Sequence, residues 1–424
     1  MRARENVEAV RERVVRRVPR GLAEGVRTLE MWGEAGVVGE VLSRLHVKRK
    51  GGFVAVDAVL FLVMWFSSSA QMGGLRGFYE GYRDHFRVLG ALAGRKTLMS
   101  AAALSRLLSA VKPGDLLGFG RWFLLRASGV DELLRNPQVL TRDALGGSWD
   151  VFWFDPTREA YRQRRLPEGP DYPEAARVTD GVGRPGFRGR KRGEVVASYG
   201  LLEHGGANVW LDATLSPGNG EPRAQFASAV EAVAETCAAI GRPCHHALLI
   251  SDGEFGHVPY IDLAMRYGVA FISRCARYDL LKTQSVRRRL SAASWFPVPG
   301  AGGSPRRFAC DLGVVALPAG EATRRDDGTC YEPVHVRIVV TRRAFDSSPV
   351  GHQLGDEMYE MFVASNVPAE AWPAEHVIAE YFRRSGQEND FCRIDRELGL
   401  DGTASFNTGG QLLAAMCALE SRDV

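Results

Sequence analysis

Cysteine is sparse in this chain of 424 residues, and the seven that occur, at positions 237, 244, 275, 310, 330, 392 and 417, form no C-x-x-C pair. An odd, scattered set argues against a disulfide framework and a zinc ribbon, and fits reduced thiols. Cys244, His245 and His246 are neighbours in sequence, but adjacent side chains point apart in a strand or helix, so they make a poor chelating set. Long hydrophobic runs are also missing. The most apolar stretch, Phe53 to Phe66, carries Asp57 and is shorter than the ~20 residues of a membrane span. It is predicted to be a buried helix. The N-terminus is charged with no apolar segment behind it, so no signal peptide is expected, and the chain is placed in the cytoplasm. A large charge of one sign is absent too: the net charge is +4. There is no internal repeat and no long low-complexity tract, which excludes solenoids and disordered tails.

What is present is an ordinary soluble balance, with 45% hydrophobic and 25% charged residues, in a chain long enough for two or three domains. Most basic residues are arginine, and they cluster, as at Lys48-Arg49-Lys50, Arg188 to Arg192, Arg306-Arg307 and Arg342-Arg343. Guanidinium forks suit phosphate oxygens, although any single cluster can equally be a solvated surface.

Residues 1–145 read as helical, with apolar residues recurring at three and four positions. Ser100 caps a strong helix that Pro113 closes. From Trp149 the texture changes. Asp150 to Asp155 reads as a buried strand ending in a carboxylate, followed by a loop from Thr157 to Asp180. Val195 to Leu202 and Asn208 to Leu215 read as two further strands. Helix 224–240, strand Ala247 to Asp252, helix 258–267 and strand Val269 to Arg274 come next. Three strands that begin antiparallel, then helix, strand, helix, strand, predict a mixed α/β sheet. The stretch 280–350 reads as β-rich, with strands at Phe308 to Leu317 and Tyr331 to Arg342. A last strand, Met358 to Val363, precedes a helix from about Trp372 to Leu400 and a final helix over 407–420. The divisions expected are therefore 1–145, helical; 146–279, the first part of an α/β core; 280–350, a β-rich insertion; and 351–424, the second part of the core with the C-terminal helices.

Tyr381, Arg384 and Glu388 are spaced i, i+3, i+7, which lines them on one stripe of a helix. A Tyr, an Arg and a Glu so aligned can hold a phosphate and a metal ion side by side. Asp155 and Asp252 each close a short apolar strand, where ligands gather in α/β sheets. Carboxylates on rigid elements suit Mg²⁺, which takes oxygen ligands and keeps positions open for phosphate. An Asp after an apolar strand is also an ordinary turn or N-cap residue, and a Glu on a helix an ordinary surface charge. The joint pattern carries more than its parts.

Three blocks together resemble a DDE transposase of a bacterial insertion sequence, in the group whose RNase H-like core is interrupted by a β-rich insertion. Phe154-Asp155-Pro156-Thr157 resembles the first Asp block. Ile250-Ser251-Asp252-Gly253-Glu254-Phe255, with the run to Arg274, resembles the second. Tyr381, Arg384 and Glu388 resemble the Tyr-x2-Arg-x3-Glu-x6-Lys signature. Asp395 stands at the signature's last position, with Arg393 and Arg396 beside it, Ser385 comes after Arg384 where Trp is usual, and Gly253-Glu254 replaces an Arg-Gly pair.

The resemblance implies an RNase H-like mixed sheet with flanking helices, preceded by an all-helical domain that reads DNA ends. It implies that Asp155, Asp252 and Glu388 bind two Mg²⁺ (or Mn²⁺), and that the protein cuts DNA at transposon terminal inverted repeats and joins the ends to target DNA. A homodimer on double-stranded DNA at the bacterial nucleoid, and no membrane partner, are expected. Arg384 and Tyr381 would contact DNA near the cut. Arg188, Arg190, Lys191 and Arg192, on a Gly-rich loop, would contact its backbone, and Trp295 would stack on an extruded base or simply pack. Glu254 is either an auxiliary carboxylate or a surface charge. A non-catalytic DNA-binding descendant and a metal-dependent nuclease on the same core remain alternatives.

Overall fold

The structure, a computed structural model, describes residues 18–47, 52–68, 74–116, 118–160, 184–188, 191–218, 222–299, 307–319, 324–325, 328–344, 351–384, 405 and 407–423. Up to residue 140 the regular elements are helices: α1 (Ala23–Glu34), α2 (Val37–Arg44), α3 (Ala55–Phe66), α4 (Gly74–Gly81), α5 (Phe86–Leu92), α6 (Ala101–Leu108), α7 (Phe119–Arg126) and α8 (Val130–Leu134), with short 3₁₀ turns between them. The apolar run is α3, buried on every side as its uniform hydrophobicity requires. Its one charge is accounted for. Asp57 accepts from the backbone N–H of Val54 at 2.7 Å, capping the helix, and from Arg95 at 2.8 and 2.7 Å. Helices α1 and α3 touch where Gly25 lies against the Met64 carbonyl, so close that a Cβ at Gly25 would stand 2.0 Å from that oxygen.

The rest of the chain builds one mixed sheet from β1 (Thr141–Arg142), β2 (Ser148–Ala160), β3 (Arg184–Arg188), β4 (Lys191–His204), β5 (Val209–Pro217), β6 (Ala247–Ser251), β7 (Ala270–Cys275), β8 (Phe296–Pro297), β9 (Phe308–Leu317), β10 (Val334–Ala344), β11 (His352–Leu354) and β12 (Glu357–Ser365). Helices α9 (Arg223–Ile240), α10 (Val258–Arg266), α11 (Gln284–Ala292), α12 (Ala374–Arg383) and α13 (Thr408–Asp423) complete it. Strand β2 is central. It pairs antiparallel with β4, which pairs with β5, and parallel with β6, which pairs parallel with β7. The crossovers between the parallel strands run through α9 and α10, as parallel neighbours require.

On the far side, β7 pairs antiparallel with β12, and β10, β9 and β8 continue in order. The strands of the 280–350 stretch thus extend the same sheet. The helical part is likewise joined to the sheet. Its core includes Tyr199, Leu201, Trp210 and Ala213 of β4 and β5, and Leu412 to Leu419 of α13.

Two local readings differ from the sequence expectation. Strand β2 does not stop at Asp155 but runs to Ala160, paired with β4. Its parallel pairing with β6 does end at Phe154, opposite Ser251. Beyond that point no described strand pairs with that edge, and Pro156, with no N–H to give, is tolerated there. Arg188, Lys191 and Arg192 sit not in a loop but in the β3–β4 hairpin, with Arg188 opposite Lys191. Arg190 lies outside the described residues.

Candidate phosphoryl-transfer site

Strand alternation and register assemble the site. Val151 and Trp153 of β2 and Leu248 and Ile250 of β6 share the core under α12, together with Ile272, Phe362 and Tyr381. Asp155 and Asp252 continue with the same parity and point to that same face. Phe154 opposite Ser251, and Ser251 opposite Ser273, put Asp155, Asp252 and Arg274 in one row across three neighbouring parallel strands. Adjacent strands lie about 4.8 Å apart, so the two carboxylates stand side by side.

Helix α12 closes over this row. Phe362 of β12 packs edge-on against Tyr381, with ring centres 4.8 Å apart. One turn on, Arg384 caps the helix with its backbone still helical. It is buried, and its Nη1 donates to Asp155 Oδ2 at 2.7 Å. The guanidinium carbon lies 5.8 Å from the centre of the Tyr381 ring. Both Asp155 and Asp252 favour the Arg384 charge against the cost of its burial. Burial holds the Tyr381 phenol above its ordinary value, Arg274 and Arg384 pulling the other way, so it is a neutral donor at physiological pH. The two acids, the arginine and the tyrosine picked from the sequence are therefore neighbours in space.

Asp252 also serves the backbone. Its Oδ1 accepts from the Glu254 N–H at 2.6 Å, capping the short 3₁₀ turn Gly253–Phe255. The Ser273 hydroxyl donates to the Asp252 carbonyl, tying the turn to β7. Gly256 lies flat against β7, where a Cβ would stand 1.9 Å from the Arg274 carbonyl. These contacts hold the Asp252 carboxylate on a rigid element. Glu254 is exposed.

Glu388 lies outside the described residues. Among the described residues no group of three or more acidic, His or Cys side chains is placed to hold a metal. The adjacent pair Asp155 and Asp252 offers hard oxygen donors of the kind Mg²⁺ takes, and fits such an ion as part of a ligand set. Trp295 is half-buried just before β8, edge-on to Tyr359 at 6.1 Å and under the Arg342 guanidinium at 4.4 Å. The side chains of Arg188, Lys191 and Arg192 are not described.

Beside this row lie Arg307 and Arg343, members of the arginine clusters noted above as suited to phosphate, and Glu360, to which no role was assigned. Glu360 of β12, 2% exposed, meets three arginines. Arg307 bonds it directly, and Arg274 and Arg343 approach to 3.7 Å. A lone Glu inside the apolar run Met358 to Val363, and an Arg closing the strand after Asp252, were the available signals.

No known protein family matches the chain, and no curated protein matches it. Among solved structures, the chain is similar to the cryo-EM structure of a piggyBac transposase synaptic complex with hairpin DNA, at 10% identity and a TM-score of 0.39, over 96% of this chain and 76% of that one. Among the described residues no helix is long and apolar enough to cross a membrane.

Proposed function

We propose that this protein is a DNA transposase of the DDE type, acting by phosphoryl transfer at Asp155, Asp252 and Glu388. The observation that carries the reading is the in-register pair of carboxylates, Asp155 beside Asp252, under a helix that brings Arg384 and Tyr381 onto them. The strand order supports it. Counted from β5 through β4, β2 and β6 to β7, three antiparallel strands are succeeded by two parallel ones. An RNase H-like core, which the resemblance implies, would have this order.

Asp155, Asp252 and Glu388 would hold the Mg²⁺ or Mn²⁺ ions, which supply Lewis-acid activation of the attacking oxygen and stabilise the leaving one. Arg384 is the residue that would hold a phosphate oxygen. In the absence of one it neutralises Asp155. Tyr381 stiffens it from below. The N-terminal helices would meet the DNA ends, and a homodimer would pair two of them.

The test is a cleavage and strand-transfer assay with Mg²⁺ on duplexes carrying the sequences that flank the gene. Wild type should cut and join. Asp252→Ala should lower cutting by at least about a thousandfold, the scale of a lost electrostatic or metal contribution to phosphoryl transfer. Its DNA binding should stay close to that of wild type. Equal cutting by both proteins would refute the site. Cutting by wild type without joining would leave a nuclease.

A further inference from the structure

We infer that Arg274 and Arg307, held by Glu360 and backed by Arg343, form a cradle for a phosphodiester of the substrate strand beside the carboxylate pair. The inference rests on the proposed phosphoryl-transfer function and names the part of the site that grips the strand.

The four residues come from four different strands or their entries, yet they share one face. Arg274 pairs with Phe362, and Glu360 lies two residues from Phe362 on the same side of β12. Glu360 pairs with Thr341, and Arg343 lies two residues on from Thr341. Ala309 also pairs with Thr341, and Arg307 lies two residues before it. Alternation turns all four toward the face that α12 covers, past the end of that helix's cover.

Three guanidinium groups gather around one buried carboxylate in a partly desolvated setting. There a charge is screened less than on an open surface. Of the three, Glu360 is hydrogen-bonded by Arg307, which donates to its Oε2, while Arg274 and Arg343 stand at 3.7 Å, beyond hydrogen-bond range.

Arg274 decides the chemistry of the ligand. It is 26% exposed, and its guanidinium makes no hydrogen bond to any described residue. None of its five N–H donors is taken by a described residue, and part of the fork reaches solvent next to Asp252. A planar fork of that kind matches two oxygens of a phosphate. Gly253 leaves room for it: a Cβ there would stand 3.0 Å from Arg274 Nε. Arg307 is held flat, its guanidinium carbon 4.3 Å from the centre of the Phe382 ring. A preorganised pair of forks gives up less freedom on binding than two loose side chains.

The test is binding of a short random-sequence duplex in EDTA across a series of chloride concentrations. No metal is needed, so failure of the metal reading and failure of the cradle are told apart. The slope of log affinity against log salt counts the phosphates neutralised. Arg274→Gln, with unchanged thermal melting, and Arg307→Gln, which takes the bonded partner from buried Glu360 and melts lower, should each reduce that slope by about one. Arg274→Lys should keep the slope, and Arg266→Gln on α10 should leave it unchanged. A wild-type slope in both folded glutamine variants overturns the cradle. If one variant fails to fold, the other decides. A wild type that binds no duplex at low salt overturns the cradle and the nucleic-acid reading together. Inorganic phosphate at matched ionic strength gives the last arm. If it displaces the duplex far better than chloride from wild type but not from Arg274→Gln, phosphate and strand compete for Arg274 as the cradle requires; equal displacement by the two salts from wild type contradicts it.

Discussion

Arg384 shows how a single residue can join two roles. A buried guanidinium is costly unless it is paired, and here Asp155 pairs with it while Tyr381 packs below. Under the proposed function the same side chain would meet an incoming phosphate, and the ion pair would keep both groups ordered until then. Glu380, its neighbour on α12, illustrates the opposite case. It is buried, only Arg383 pairs with it, at 2.8 Å, and its Oε1 has no partner among the described residues. Burial raises its carboxyl above the ordinary value of 4.5, with Arg383 offsetting only part. A folded-state value above the unfolded one means that the stability it contributes is whole below about pH 4.5. It is lost as the pH rises through the folded value. Glu380→Gln should therefore melt higher than wild type at neutral pH, and the gain should vanish at pH values below 4.5. Thermal melting across that range checks it, and an equal difference at every pH would contradict it. At this scale the sequence was partly legible. Apolar strands ending in Asp pointed to Asp155 and Asp252, and the ordinary N-cap role of such an Asp is also met at Asp252, which caps its turn. Arg274 was harder. Its importance lies in its register with Asp252, a property of pairing that linear spacing does not contain.

Among elements, β2 bears the most. Its far half carries Asp155, and its near end is locked by a buried polar cluster. Asp150 accepts from Arg242 at 2.5 Å and meets His204 Nε2 at 3.1 Å. His204 Nδ1 lies 3.2 Å from the Ala207 N–H, which requires a bare nitrogen there and leaves the proton on Nε2 for Asp150. Arg242 also donates to the Leu134 carbonyl at 2.6 Å. The cluster thus ties β2 to the β4–β5 turn, the end of α9 and α8. Asp150→Ala should destabilise the protein by about 3 kcal/mol or more, the scale of removing one partner from a buried pair. Urea unfolding measures it. A loss within about 0.5 kcal/mol, the range of an ordinary surface substitution, would show that the cluster holds little. Several elements were plain from the sequence. Helix 224–240 is observed as Arg223–Ile240, and strand Phe308 to Leu317 is observed unchanged. Both have strong patterning and clear stops. The end of β2 was misplaced because the apolar run stops at Phe154, whereas backbone pairing with β4 continues through polar residues to Ala160.

For the molecule as a whole, one sheet runs from the antiparallel strands on one side of β2 to β8 on the other. The face carrying Tyr199 and Trp210 is sealed by the helices before residue 140 together with α13. The final helix returns to the first part of the chain: the Ser128 hydroxyl donates to Glu420 at 2.5 Å, and Ser421 to the Val63 carbonyl at 3.3 Å. Such closures between distant segments are what a sequence conceals most. Periodicity marks which face of an element is apolar, not which other element will cover it. The same face, farther along at the carboxyl ends of β2 and β6, is where α12 brings Arg384 to the acids, since Asp155 pairs with Leu201 and Thr157 with Tyr199.

The claim on which the rest depends is that Asp155, Asp252 and Glu388 share a bound divalent ion. Fe²⁺ placed at a Mg²⁺ site generates hydroxyl radicals that cut the polypeptide beside its ligands. Wild type loaded with Fe²⁺, then given ascorbate and peroxide, should be cut near residues 155, 252 and 388. Excess Mg²⁺ should suppress all three cuts, and Asp252→Ala should lose them. Cuts elsewhere, or cuts at these positions that persist in Asp252→Ala, would contradict the shared site.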